Sequence, residues 1–249
     1  AWTSGADAVF GLSGIAAGSG VVTLGASINA NSLSVLAANY VFGDNGSGNT
    51  LTVNVVSNTS AATISNDVVN ATTFVKDGSS TLTLLGSSPG LTGNVVVNKG
   101  TLRFGSSTAG TPNGPQSVTS VSVATNATFN KQLNVAATPG EVISGDGGFS
   151  LQANSFSTTI TLQNANTYTG NTTINQVTAL ITSISDSAPN PLGNGTNVIL
   201  TTSVSTTTLK YMGYGDTTAR TLTLSGTTPT VAHNLDASGF GPLTWNGPL

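Results

Sequence analysis

The chain has no cysteine in its 249 residues. A disulfide framework and thiol chemistry are excluded, although this alone fixes no compartment. Charge is almost as scarce. Lys, Arg, Asp and Glu together make up 6% of the chain, against about 25% in ordinary domains. The formal net charge of −3 steers nothing strongly, and no basic patch points to nucleic acid. His233 is the single histidine, so no usual zinc set can form. No segment sustains a helical period. No apolar run is long enough to span a bilayer, so membrane insertion by this segment is not expected. There is no starting Met and no leader. The ends at Ala1-Trp2 and Trp245-Asn246-Gly247-Pro248-Leu249 read as those of a mature or excised part of a longer precursor.

What is present is Ser, Thr, Asn and Gly on the surface and Val, Leu and Ile for a core. A hydrophobic share of 37% is enough to fold despite 30 glycines. Short β-prone runs recur throughout, at 21–24, 32–36, 39–42, 50–56, 62–64 and 72–75 in the first part. Turn chemistry separates them, which signals a sandwich, barrel or solenoid. Residues 1–20 read as an irregular entry segment with Val9-Phe10 as the one firm strand and Trp2 covering an end of the core. Loops are expected at 106–118 and 187–196, where Pro and Gly cluster.

One stretch sets the pattern. Residues 76–104 (KDGSSTLTLLGSSPGLTGNVVVNKGTLRF) hold three strands, at 81–85, 95–97 and 101–104, separated by turn residues. Residues 157–181 (STTITLQNANTYTGNTTINQVTALI) repeat it. Thr161-Leu162 stands for Thr83-Leu84, and Thr169-Gly170-Asn171 for Thr92-Gly93-Asn94, with one residue lost in between. An indel in a turn with both flanking strands kept is what a repeat architecture allows. A sandwich would pair strands distant in sequence and show no repeating winding. A solenoid pairs each strand with its counterpart one coil away, stacking like on like. The expected fold class is therefore all-β, a right-handed parallel β-helix (β-solenoid). At roughly 20–25 residues per coil it makes roughly ten coils and a rod of about 50 Å. A Greek-key sandwich, or two small sandwiches, are the alternatives. The array is read as one domain over 1–249, with units near 76–105 and 155–182. A further unit starts near 237, so the chain reads as part of a longer solenoid.

These residues resemble the autotransporter-associated β-strand repeat of secreted bacterial surface proteins. The likeness rests on Lys76-Asp77-Gly78, Thr81-Leu82-Thr83-Leu84, Gly93 and Asn98-Lys99-Gly100-Thr101-Leu102. In the second copy it rests on Asn164-Ala165-Asn166-Thr167-Tyr168-Thr169-Gly170-Asn171-Thr172-Thr173. The first copy departs in having Leu91 where Tyr168 stands, and the second in having Gln176-Val177 where Lys99-Gly100 stands. The structural repeat positions are Gly78, Leu82, Leu84, Gly93, Asn94, Gly100, Leu102, Leu162, Tyr168, Gly170 and Asn171. The resemblance implies a passenger-type parallel β-helix, extracellular or on the cell surface, with a structural or adhesive role and no catalytic motif.

The search for chemistry leaves little. A β-helix glycosidase or lyase needs clustered carboxylates on neighbouring coils. Asp146, Glu141, Lys131 and Arg103 are the set that could gather, though nothing in their spacing requires it. Lys76 and Arg103 otherwise read as isolated surface charges. Asp44-Asn45-Gly46 and Asp146-Gly147-Gly148 offer oxygens for a structural ion but match no calcium loop. Asp216 and Arg220 read as a local pair across a turn. Tyr211 and Tyr214 either close a coil corner or offer a face to a sugar. Six Asn-x-Ser/Thr sequons start at Asn45, Asn58, Asn70, Asn126, Asn171 and Asn194. No enzyme activity, cofactor or metal is expected. The expected partners are a second copy stacked end to end, or further coils of the same chain, with surface glycans as a candidate ligand. A carbohydrate-binding or polysaccharide-degrading β-helix is the alternative function.

Overall fold

A computed structural model describes residues 4–11, 20–37, 39–106, 108, 113–153, 158–186, 189–202, 204–226 and 231–249. Trp2 lies outside these residues, as do positions 155–157 of the second repeat unit. No helix occurs among the described residues, and the strands stack as a parallel β-solenoid of about 9 turns. Thr101 pairs with Thr81 below it and with Thr128 above it, so a short coil and a long one adjoin.

The first sheet stacks β1 (Ala6–Phe10), β3 (Ile28–Val35), β5 (Leu51–Asn58), β8 (Thr73–Asp77), β10 (Asn94–Val97), β12 (Ser120–Val123) and β14 (Val142–Gly145), with the short β7 (Val68–Val69) beside β5. The second sheet runs the full length. It holds β2 (Val21–Thr23), β4 (Tyr40–Gly43), β6 (Ala62–Ile64), β9 (Thr81–Leu84), β11 (Thr101–Phe104), β13 (Thr128–Leu133), β15 (Gly148–Ala153), β17 (Thr172–Asn175), β19 (Asn197–Thr202) and β22 (Thr221–Gly226). A third sheet begins late, with β16 (Thr159–Leu162), β18 (Thr178–Ile181), β20 (Thr207–Tyr211) and β23 (His233–Asp236). A last pair joins β21 (Asp216–Thr218) to β24 (Leu243–Trp245).

Strand alternation sends every second residue inward, and the register stacks those residues into columns. Phe74, Val95, Val121 and Ile143 form one column. Leu82, Leu102, Phe129 and Phe149 form another. All eight are buried in one continuous core. Each fully buried Leu or Phe contributes roughly 1.5–3 kcal/mol. The outer columns are polar. Thr81, Thr101 and Thr128 stack on one another, and the Gln132 amide donates to Gln152 at 2.6 Å.

The two sequence repeats lie on different sides of the coil. In the first copy β9 and β11 belong to the second sheet and β10 to the first. In the second copy β16 and β18 belong to the third sheet and β17 to the second. The winding has advanced by one side between them. The first sheet stops at β14, and an isolated bridge from Ala137 to Ile160 opens the third. The first sheet's column continues without regular strands, through the Thr167 amide donating to Ile143 and the Thr169 amide to Gly145.

The repeat glycines mark where one corner sits on the corner below. A Cβ on Gly93 would lie 2.2 Å from the Thr72 carbonyl oxygen, and one on Gly170 would lie 2.4 Å from that of Gly147. Gly93→Ala and Gly170→Ala should each cost about 1–3 kcal/mol through overpacking against backbone that cannot retreat. Equilibrium urea unfolding reads the loss; Gly140→Ala, where a Cβ meets nothing within 4 Å, should leave the midpoint in place.

Candidate functional site

The repeat positions fall into three groups. Leu82, Leu84, Leu102, Leu162 and Tyr168 point inward and are buried. Gly78, Gly93, Gly100 and Gly170 form corners, with Gly78 and Gly100 at positive φ. Asn94 and Asn171 face outward, and the Asn94 amide oxygen accepts from the Ser120 hydroxyl at 2.6 Å. Leu91 and Tyr168 are both fully buried, so the residue that differs between the copies serves one purpose. Tyr168 packs against Phe149, with ring centroids 5.9 Å apart, and its hydroxyl meets that of Thr172 at 2.7 Å. Burial pushes the Tyr168 phenol well above its ordinary pKa, against smaller opposing effects of Thr172 and Arg220.

Lys76 is not a surface charge. Its side chain is fully buried, in the inward column between Val56 and Val97. The ammonium donates to the carbonyls of Asp77 at 2.9 Å, Gly78 at 2.7 Å and Lys99 at 2.9 Å. It therefore fastens its own corner to the corner of the next coil. Arg103 is half-buried, its Nε has no hydrogen-bond partner, and burial lowers its pKa.

The set of four named for catalysis divides. Lys131 and Glu141 meet at 3.1 Å and both are buried. Lys131 lies between Phe104 and Leu151 in an inward column. Its Nζ is 3.4 Å from the Pro115 carbonyl and 5.5 Å from the Phe104 ring centroid. Asp146 is exposed at a corner, where it accepts from the Thr169 hydroxyl at 3.2 Å. Arg103 alternates with the inward Leu102 and Phe104 and so faces away from the pair. The buried pair is shut off from solvent, and among the described residues no second carboxylate joins it.

The Asp216–Arg220 pairing is also corrected. Arg220 is buried and its Nε donates to Asp186 at 3.1 Å. Its other nitrogens donate to the carbonyls of Leu192 at 3.2 Å and Gly193 at 2.6 Å. Asp216 instead accepts from the Ile184 amide at 2.9 Å. Burial opposes the charge on Asp186. The Ala219 amide, the Thr218 hydroxyl and Arg220 outweigh it and hold the carboxyl below its ordinary pKa. Coil-to-coil contact wins over contact within one turn because the partner one coil away is fixed by the register.

No group of three or more His, Cys, Asp or Glu side chains able to hold a metal ion occurs among the described residues. Asp44 turns both oxygens onto its own loop, accepting from the amides of Gly46 at 3.0 Å and Asn49 at 2.7 Å. His233 opens β23 with Nε2 2.9 Å from the Ser225 carbonyl. Of the sequons, Asn58 and Asn70 are buried, whereas Asn45, Asn126, Asn171 and Asn194 are exposed.

Tyr211 and Tyr214 have separate roles. Tyr211 is buried and its hydroxyl accepts from the Gly215 amide at 2.9 Å, closing the corner. Tyr214 is 85% exposed and stacks on Phe240, itself 72% exposed, with centroids 5.2 Å apart and planes 19° off parallel. A groove of about 410 Å³, lined by Ser185, Gly215, Asp216, Thr217, Pro242 and Thr244, starts one residue along the chain from Tyr214 and two from Phe240, and neither ring lines it. Phe240 was not among the residues singled out from sequence; the Gly-aromatic-Gly triplets at 213–215 and 239–241 are the signal that links it to Tyr214.

No family model, no curated protein and no solved structure matches this chain.

Two predictions concern the buried charges. Lys131→Met or Glu141→Leu alone should cost about 3–5 kcal/mol, because each strands its partner in the core. The double replacement should recover most of that loss in a double-mutant cycle by urea unfolding. For Lys76, burial pushes the pKa down to about 8, partly opposed by Asp77. The unfolded chain holds that proton up to about 10.4, so it binds more protons than the folded chain between these limits. Unfolding free energy should therefore rise as pH increases from 8 towards 10. The rise should be absent in Lys76→Met, measured by denaturant titrations across that range.

Proposed function

We propose that this chain is a non-enzymatic structural and adhesive β-helix that acts by stacking, as a surface-displayed passenger or fibre segment outside the cell. The observation that carries the reading is the open coil at its C-terminal end. β22, β23 and β24 each have a strand neighbour on one side only among the described residues. The core columns run out onto this edge. Leu224 continues the column of Ile174 and Leu200 and is 57% exposed; Leu235 continues that of Ala179 and Leu209 and is 39% exposed. The Leu222 amide of β22 donates to the Pro248 carbonyl at 2.9 Å and the Ser225 carbonyl meets His233 Nε2 at 2.9 Å, so the edge is partly covered. Where it lacks a neighbouring strand, its apolar side chains in register are a template for another strand. A further coil, from the same chain or from a second copy, fits it.

The surface chemistry supports the extracellular part of the reading. The outer columns are mostly Thr, Ser, Asn and Gln, with few charges such as Arg103 and the Lys210–Asp236 pair. The repeat motif's resemblance to autotransporter-associated β-strand repeats supports display on a bacterial surface.

Leu224→Lys with Leu235→Lys should weaken self-association at least about tenfold while leaving far-ultraviolet circular dichroism unchanged. Sedimentation velocity over a concentration series measures it. A wild-type chain that remains monomeric up to its solubility limit would overturn stacking between copies. Electron micrographs of the associated material should show rods in which coils continue along one axis.

A further inference from the structure

We propose that the Tyr214–Phe240 pair and the groove beside it form a binding site for a neutral, hydroxyl-rich glycan chain. The inference gives the adhesive half of the reading above a place and a ligand class. It rests on that half and not on end-to-end stacking.

The two rings are displayed rather than packed. Each lies in a Gly-aromatic-Gly triplet, at 213–215 and 239–241, so neighbouring side chains do not screen it. The backbone beneath is fixed. The Gly241 amide donates to the Gly213 carbonyl at 2.9 Å, and the Asp216 amide to the Pro242 carbonyl at 3.1 Å. A Cβ on Gly241 would lie 1.9 Å from the Tyr214 carbonyl oxygen, so the two loops touch backbone to backbone. The two loops are therefore fixed to each other, and the rings they carry stack on one another without a ligand, which lowers the ordering cost of binding.

The groove supplies the polar half of a sugar site. Ser185, Asp216, Thr217 and Thr244 bring hydroxyls and a carboxylate, and Pro242 an apolar patch. These residues come from three successive turns: Asp216 accepts from the Ile184 amide on one side, and Thr217 pairs in register with Thr244 on the other. Polar groups are thus repeated along the rod at the spacing of parallel strands, about 4.8 Å. Thr217 and Thr244 are exposed. One carboxylate and no Lys or Arg line the groove, which disfavours sulfated or uronate chains. An aromatic surface flanked by hydroxyls and a carboxylate suits a pyranose, which has a C–H face for the ring and hydroxyl edges for hydrogen bonds.

The test is affinity electrophoresis through gels containing glucomannan, xylan, laminarin or hydroxyethyl cellulose, with heparin as the anionic control. The wild-type chain should be retarded by at least one of the neutral polysaccharides. Tyr214→Ala and Phe240→Ala should each weaken that binding about tenfold or more, a loss of the order of 1.4 kcal/mol, while Tyr214→Phe retains it. Both side chains are exposed, so circular dichroism and the urea midpoint should not move. Three results would each overturn the inference: no retardation by any neutral polysaccharide, retardation unchanged in the double alanine variant, or retardation by heparin alone. Sedimentation velocity on the same variants separates this site from the stacking edge. Self-association that persists while glycan binding is lost places the two functions apart. Self-association without any glycan binding in the wild type removes this inference and leaves stacking in place.

Discussion

Parallel pairing between successive coils is the constraint on which the rest of this structure depends. Among the described residues every paired strand runs parallel to its partner, and none has a hairpin partner. A strand is held by the strand about one winding earlier and the strand about one winding later, and each residue meets the same two neighbours as long as the register holds. Side chains are therefore selected by column. Leu82 through Phe149 agree in being apolar and inward, and Thr81 through Thr128 agree in being small, polar and outward. The charge-poor composition follows from the same rule, since like charges stacked about 4.8 Å apart would repel along the whole rod.

The corners carry the cost of this arrangement. Backbone there leaves the sheets, and its carbonyls need partners from outside the ladder. Lys76 satisfies three of them with one ammonium, spanning two coils. Arg220 does similar work at Leu192 and Gly193 while paired with Asp186. Asn side chains complete the set: the Asn70 amide reaches the carbonyls of Val53 and Thr73, and that of Asn190 reaches Ser185 and Gly193. Lys76 and Arg220 are buried charges at corners, where an ammonium or guanidinium finds enough carbonyl acceptors.

The sequence made the winding legible and hid the third dimension. The TLTL and TLRF strings and the Gly and Asn corners declare strands and turns locally, so β9 and β11 were readable at once. β21 (DTT) and β23 (HNLD) were not, since neither alternates apolar residues; they are strands because Leu243–Trp245 and Thr207–Tyr211 lie beside them. Lys76 was misread because a lone lysine suggests solvent. Its parity said otherwise: it is two residues from Phe74 and shares its face, as Lys131 shares that of Phe129 and Leu133. The advance of the repeat by one side of the coil leaves no mark in either copy. It arises in the long coil between Thr101 and Thr128 and the bridge at Ala137, where no motif stands.

That advance has a consequence for how such a chain can grow. A column asks only that each side chain match the one beneath it; it does not count the residues spent at the corner. A coil can lengthen from the span between Thr81 and Thr101 to that between Thr101 and Thr128 and still deliver its strand in register. A duplicated unit can even land on a different side, as the second copy does. Gene duplication in this architecture therefore needs no conserved length, and a lineage can add coils, loops or whole recognition surfaces without renegotiating the core. The signature left behind is two similar segments that never stack on each other.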